Sequence, residues 1–314
     1  MTVAERGEFG LISAVTARLG SGANCILGPG DDAAVVTAPD RRVVASSDVL
    51  VEGHHFRRDW SSAEDVGHRA AAANLADIAA MGAVPTALLV SLCVPPDLDV
   101  RWVEGLADGL AAEAALTGAS VVGGDISASS TLTIAVTALG DLQGLPPVVR
   151  SGARPGDVVA VTGRLGWAAA GYTVLSRGFR SPRALVEAHR RPRPPYAAGP
   201  VAARLGATAM IDVSDGLLAD LGHIARASGV GIDLRREAFD VAPQMRDAAA
   251  ALGVDPYVWI FTGGDDHALA ATFPAGTVLP PGWRTIGRVN DHDQVTVDGE
   301  PFTGASAGWE HFRA

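Results

Sequence analysis

Carboxylates beside glycine and serine are the residues of this 314-residue chain best placed to do chemistry. Gly30-Asp31-Asp32, Ser46-Ser47-Asp48, Gly123-Gly124-Asp125 and Asp212-Val213-Ser214-Asp215-Gly216 each set an acid where a strand is expected to stop, turn or run into a helix. Asp77 differs, because it lies inside an Ala-rich helical stretch where an unpaired carboxylate is costly and needs a cation or a hydrogen-bond network. Read one at a time, such motifs also serve as turns and caps: Asp after Gly is a common turn residue, and Asp215 or Asp48 could cap a neighbouring element. Taken together they offer what Mg²⁺ prefers, a few carboxylates completed by water and substrate phosphates.

All 25 basic residues are Arg, so the chain has no lysine for a P-loop, a protein-kinase ATP site or a Schiff base. Any bound polyphosphate must be neutralised by Arg, backbone N–H groups or metal ions. Arg150, in Val149-Arg150-Ser151-Gly152-Ala153, reads either as a solvated loop residue or as such a phosphate contact. His54-His55, in Glu52-Gly53-His54-His55-Phe56, has no zinc-type spacing around it. It reads equally as a hydrogen-bonded structural pair or as a contact to a substrate phosphate. Cys25 and Cys93 form no metal-binding pattern and are expected to be reduced packing residues of a cytoplasmic protein. A net charge of −10 argues against nucleic acid or an anionic membrane as partner. No stretch approaches the ~20 apolar residues of a membrane span, and the first ten residues lack a signal-peptide core, so a soluble chain is expected.

These groups must be carried by regular elements. With 48% hydrophobic but only 5% aromatic residues, the expected core is Ala, Val, Leu and Ile, which suits an α/β architecture. The length favours two domains, and the Pro/Gly-rich stretch 143–155 places their boundary near Leu145, giving 1–145 and 146–314. Periodicity predicts helices at 8–19, 63–81, 101–117, 165–176 and 215–227, with Gly20, Gly82 and Gly118 closing the first three. Strands are predicted at 33–36, 43–47, 87–94, 121–122, 132–139, 157–162, 208–213, 258–261 and 268–273. Two Gly-Gly-Asp segments are read as turns between strands.

The motifs, in their order, resemble the thiamine-monophosphate kinase family of the aminoimidazole ribonucleotide synthetase-like superfamily. They are Gly7–Ile12, Gly30-Asp31-Asp32, Ser47-Asp48, Glu52–Phe56, Asn74–Gly82, Gly123-Gly124-Asp125, Arg150–Ala153, Asp212–Leu217, Gly263-Gly264-Asp265-Asp266 and Gly308–Phe312, which together span nearly the whole chain. The resemblance implies a two-domain α/β (α+β) fold, an N-terminal ATP/Mg-binding domain whose sheet is completed across a homodimer, and a C-terminal α/β domain that completes the active site. It implies transfer of the ATP γ-phosphoryl group to thiamine monophosphate, with several Mg²⁺ ions as cofactors. Carried over by position, Asp32, Ser46, Ser47, Asp48, Asp77, Asp125, Asp212 and Asp215 are the implied metal ligands. Asp48, Asp125 and Asp212 are the implied catalytic groups. Gly124, Asp125, Arg150 and Ser214 are the implied ATP contacts, and His55, Asp265 and Trp309 the implied contacts to thiamine phosphate. The chain departs from the family where Asp265-Asp266-His267 stands in place of the usual Glu-Asp-Tyr, which shortens the substrate-facing acid by one methylene. Alternatives are a selenophosphate synthetase-like or hydrogenase-maturation-like enzyme of the same superfamily, or a non-catalytic protein binding thiamine phosphate or nucleotide. The reactive cysteine motifs of those two enzymes are missing here.

Overall fold

A computed structural model of the chain describes residues 1–30 and 33–304. The chain divides into two compact units, Met1–Ile78 with Ala83–Gly144, and Ala79–Gly82 with the chain from Leu145 onward.

The first unit opens with helices α1 (Val3–Arg6) and α2 (Glu8–Thr16) and the short ribbon β1 (Cys25–Leu27) and β2 (Val35–Val36). Then follow β3 (Val44–Val51), α3 (Ala63–Ala80), β4 (Val84–Val94), α4 (Val100–Ala115), β5 (Ser120–Ala128) and β6 (Thr133–Asp141). The last four strands form one sheet in the order β3-β6-β4-β5, parallel between β4 and β5 and antiparallel elsewhere. Helix α3 starts because Ser62 and Asp65 cap each other, the Ser62 amide donating to Asp65 Oδ2 at 3.0 Å and the Asp65 amide to Ser62 Oγ at 3.2 Å. Alanine then lets backbones approach closely. A Cβ at Gly67 would lie 2.2 Å from the Leu106 carbonyl oxygen, and one at Gly109 would lie 2.1 Å from that of Glu64, so only glycine fits where α3 crosses α4. His68 Nδ1 and Glu113 Oε2, 2.7 Å apart, tie the two helices beside this crossing. Helix α3 lies on the face bearing Ile134, Val136, Ala138 and Gly140, where a Cβ at Gly140 would run into Ile78. The opposite face exposes Val49 and Leu89.

The second unit runs β7 (Val158–Thr162), α5 (Trp167–Ser176), α6 (Arg183–Arg190), α7 (Ala198–Arg204), β8 (Ala209–Val213), α8 (Leu217–Ser228) and β9 (Gly231–Leu234). It ends with α9 (Pro243–Leu252), α10 (Pro256–Thr262), β10 (Ala268–Phe273), β11 (Arg284–Asn290) and β12 (Val295–Val297). Its six-stranded sheet has the order β12-β9-β11-β7-β10-β8. Strands β7, β8 and β10 are wholly or nearly buried apolar runs, as central strands covered on both faces must be. Because β10 is antiparallel to both β7 and β8, the loops after β7, after β8 and before β10 meet at one end of the sheet.

Three expectations are corrected. Residues 258–261 lie in the helix α10, because Asp255 caps it by accepting from the Tyr257 amide at 2.9 Å and Pro256 fits its first turn; a short apolar run alone does not separate strand from helix. Gly123-Gly124-Asp125 is no turn but the middle of β5, where Gly124 lets the backbone of β4 pass: a Cβ there would lie 1.8 Å from the Val90 carbonyl oxygen. Ser46-Ser47-Asp48 likewise sits within β3, which continues to Val51. No helix among the described residues is long and apolar enough to cross a membrane.

Candidate active site

In the first unit, the strand period of two and the helix spacing of three bring one group together. Ser46 and Asp48 alternate along β3, and Asn74 and Asp77 lie on one face of α3. Ser46 Oγ donates to Asp77 Oδ2 at 2.6 Å, and the Asp48 amide donates to Asn74 Oδ1 at 3.0 Å. Asn74 is fully buried and spends its own amide on the Ala70 carbonyl, 3.0 Å away, so its orientation is set. The hydrogen-bond network expected around Asp77 is therefore present, although Asp77 is half-buried rather than enclosed. Ser47 takes the other face, its Oγ donating to the Val136 carbonyl at 3.1 Å and lying 3.0 Å from Thr137 Oγ1.

Asp125 stands apart. Strands β3 and β5 are the two edges of the sheet, with β6 and β4 between them. Three strand spacings separate Asp48 from Asp125, about 14 Å of backbone. Asp125 pairs across the ladder with Ser91 on the open face, is exposed, and accepts from Ser127 Oγ at 3.0 Å. His55 occupies the turn after β3, where its Nδ1 accepts from the Val51 amide at 3.0 Å. That bond puts the ring proton on Nε2 and leaves an N–H donor on the far side of the ring.

In the second unit, the Asp212–Gly216 segment links β8 to α8, and 263–267 links α10 to β10. The two run side by side: the Asp265 amide donates to the Ser214 carbonyl at 2.9 Å and the His267 amide to the Val213 carbonyl at 3.0 Å. Only glycine fits at 264, where a Cβ would lie 2.0 Å from the Ser214 oxygen. Asp265 and His267 hold left-handed backbones, φ 64° and 50°, which throws consecutive side chains to unusual directions. Asp266 turns inward and accepts from the Ala168 amide at 3.0 Å at the start of α5, beneath Arg164 and Trp167, whose guanidinium and ring are stacked at 5.2 Å.

At the start of α8 a second carboxylate takes over the cap that Gly216 cannot supply. Asp220 Oδ2 accepts from the Asp215 amide at 3.1 Å and from the Gly216 amide at 3.0 Å. Burial, reinforced by the charges of Asp212 and Asp215, pushes Asp220 up to about 8. One turn further, burial together with the charges of Arg226 and Arg150 holds the His223 imidazole below its ordinary value, in the neutral form that ligates cations. Ligand atoms of Asp215, Asp220 and His223 all lie within 4.8 Å of one another. Asp212, near enough for its charge to raise Asp220, is buried and lies 3.0 Å from His267 Nδ1 through its Oδ2. Crowded carboxylates whose charges raise Asp220, and an imidazole, with no thiolate, form a donor set suited to a hard divalent cation.

The structure thus brings Ser46, Asp48 and Asp77 together in one unit, and Asp212, Ser214, Asp215 and Asp265 together in the other, with Arg150 near enough to influence His223. Asp125 and Gly124 sit on the far sheet edge, and Asp32 and Trp309 lie outside the described residues. Asp220, His223 and His267 escape the motif reading. The first two were legible as an i, i+3 pair on one face of α8, five and eight residues beyond Asp215; His267 needed the strand register.

Two family models cover the chain, the AIR synthase related protein N-terminal domain over residues 30–142 and its C-terminal domain over residues 154–278. The thiamine-monophosphate kinase of Mycobacterium tuberculosis is 50% identical over 313 residues, covering 99% of this chain and 93% of that one. Among solved structures, the thiamine-monophosphate kinase of Stenotrophomonas maltophilia K279a superposes with a TM-score of 0.83 at 32% identity over 94% of this chain and 98% of that one. The structure described as AaThiL complexed with AMPPCP and TMP superposes at 0.81, with 34% identity over 99% of both chains.

Proposed function

This chain belongs to the thiamine-monophosphate kinase family, and from that premise we propose that it transfers the ATP γ-phosphoryl group directly and in line to the phosphate of thiamine monophosphate, releasing thiamine diphosphate and ADP. The observation that carries this reading is the convergence of Asp215, Asp220 and His223 within 4.8 Å at a helix start, a cation site on a chain that has no lysine to grip phosphate.

The acceptor oxygen belongs to a phosphate already ionised near neutral pH, so no side chain has to remove a proton from it. Repulsion between two anionic substrates is what opposes reaction, and a loose transition state leaves charge on the transferring oxygens. Asp48, Asp77, Asp125, Asp212 and Asp215, with Asp32, Ser46 and Ser47, would hold several Mg²⁺ ions, whose positive charge would offset that repulsion. The rest falls to the chain's own groups. Arg150 offers the nucleotide a guanidinium, and Ser214 presents its hydroxyl beside Asp215. Gly124, bare of side chain, admits close approach to backbone. His55 Nε2–H suits a substrate phosphate oxygen, whereas Asp265, carboxylate to cation, suits the charged thiamine ring, with Trp309 as its aromatic cover. Residues 1–145 carry ATP and Mg²⁺ binding and dimerisation, and residues 146–314 supply the remainder of the active site.

The same sheet supports the reading that two copies pair as a homodimer. Among the described residues β3 and β5 are the edges of the four-stranded sheet, and Val49 and Leu89 are exposed on its open face beside Ser47 and Asp125, so a second copy that continues the sheet would satisfy an edge's backbone groups. Edge-to-edge pairing of β3 with the partner's edge would also bring a partner carboxylate to Asp48 and Asp77, which the ~14 Å separation denies within one sheet. Free Cys25 and Cys93 suit a reducing cytoplasm.

The test is an ADP-release assay with Mg²⁺ and ATP, comparing thiamine monophosphate, thiamine and no acceptor. Acceleration by the monophosphate alone is expected. Equal ADP release without acceptor would refute the kinase reading.

A further inference from the structure

We propose that His267 is a positioning residue for Asp212: its imidazole holds one carboxylate oxygen so that the other is presented to the bound cation. The inference rests on the reading above, that Asp212 helps to hold Mg²⁺. His267 Nδ1 lies 3.0 Å from Asp212 Oδ2, and both residues are buried, at 5% and 4% exposure. An ionised carboxylate only accepts, so the proton between them is carried on Nδ1. Neither residue can drift. Asp212 pairs with Leu269 within the ladder of β8 and β10, and His267 is pinned just before β10 by its amide bond to the Val213 carbonyl at 3.0 Å. The left-handed backbone of His267, φ 50°, turns its side chain back along β8 toward Asp212. Carboxylates crowded beside Asp220 would otherwise rotate away from one another; a donor fixed from behind sets the plane of one of them before a cation arrives. Partners of this outer kind fix ligand orientation and commonly change metal affinity by roughly ten- to a hundredfold when removed.

The backbone conformation dictates the variants. Glycine adopts φ 50° freely and removes the donor; asparagine tolerates the same backbone and places an amide N–H where Nδ1 stood; glutamine carries its N–H farther out, where Nε2 stood. Mn²⁺ binding to the full-length protein without nucleotide, followed by the electron paramagnetic resonance of the free ion, is the readout, with thermal unfolding as a folding control. His267→Gly and His267→Gln should weaken the tightest Mn²⁺ association by roughly tenfold or more, and His267→Asn should stay within about threefold of wild type. Should the glycine variant not fold, the Gln and Asn pair decides alone. Wild-type binding by the Gln variant, or an Asn variant as weak as it, would overturn the role of His267 while leaving the kinase reading intact. If the wild-type protein binds no Mn²⁺ yet releases ADP with thiamine monophosphate, the cation role of Asp212 falls, and this inference with it.

Discussion

The two units of this protein hold their acids by opposite means. In the first, Asp48, Asp77 and Asp125 stand in the middle of regular elements, and periodicity alone decides what each one meets. In the second, Asp212 stands at the end of β8, but Ser214, Asp215 and Asp265 to His267 occupy junctions, Asp265, His267 and Gly216 with positive φ, and glycines at 216 and 264 are needed to let the segments touch. A side chain on a strand or helix is placed by the whole element and moves only with it. One at a junction is placed by a few special torsions and can be displaced by one added methyl group. The first arrangement is therefore robust locally but constrained globally: strand order puts Asp48 and Asp125 on opposite sheet edges and alternation puts them on opposite faces, and no local adjustment joins them.

The largest expected effects test that constraint. Asp48→Ala or Asp125→Ala should each lower the rate of ADP release at least ~100-fold, the scale on which loss of one group stabilising transition-state charge is felt. If the edges of two copies share each site, mixing the two inactive proteins under conditions that exchange subunits should restore about a quarter of wild-type activity, because half of randomly paired dimers carry one intact site of two. Recovery of none would mean that no site takes Asp48 from one copy and Asp125 from the other. Next in size is Gly264→Ala. The new Cβ would meet the Ser214 oxygen at 2.0 Å, so the loop must move or the protein lose about 3 kcal/mol, with kcat falling more than melting temperature suggests. An unchanged melting temperature with full activity would mean that the junctions are as tolerant as the regular elements.

Much of this was legible before the structure. Helices α3, α4 and α8 and strands β4, β8 and β10 announce themselves by period and by their bounding Gly and Pro residues, and the motifs around Asp48, Asp77, Asp212 and Asp265 mark the acids themselves. What stayed hidden is of two kinds. Gly123-Gly124-Asp125 looks like a turn because glycine serves turns and close strand contacts alike, and only the Val90 carbonyl at its flank shows which is meant. Asp220 and His267 act through partners five and 55 residues away, and their roles depend on a helix start and a register that local pattern does not encode.

Protonation separates the units at a finer scale. Asp266, enclosed at the start of α5, is pushed up to about 7, chiefly by burial and further by the charge of Asp265, against the opposing pull of the Ala168 and Trp167 amides and the Arg164 guanidinium. In the unfolded chain it ionises near its ordinary value of 3.8, so folding takes up a proton between those values. Its contribution to stability is fully present below about pH 4 and is lost as pH rises through about 7, at no more than ~1.4 kcal/mol per pH unit. Asp266→Asn keeps an oxygen for the Ala168 amide but cannot ionise. Relative to wild type, the variant should gain melting temperature steadily from pH 5 to pH 7.5, and parallel curves would remove Asp266 from the account.

The smallest effect expected is at Ser127. Its hydroxyl donates to Asp125 Oδ2 at 3.0 Å, but both residues are exposed, and water can replace the bond at little cost. Ser127→Ala should change stability by no more than about 0.5 kcal/mol and activity by no more than about threefold. That contrasts with the buried acceptor Asn74, whose removal takes from the Asp48 amide its 3.0 Å bond and should cost about 1–3 kcal/mol. The comparison follows from the sheet: Asp48 is braced by a helix of its own unit, whereas Asp125 faces the open side and gets little from its own chain. If Ser127→Ala proves as damaging as Asn74→Ala, in either activity or melting temperature, then Asp125 is already oriented within a single copy and the need for a partner edge weakens accordingly.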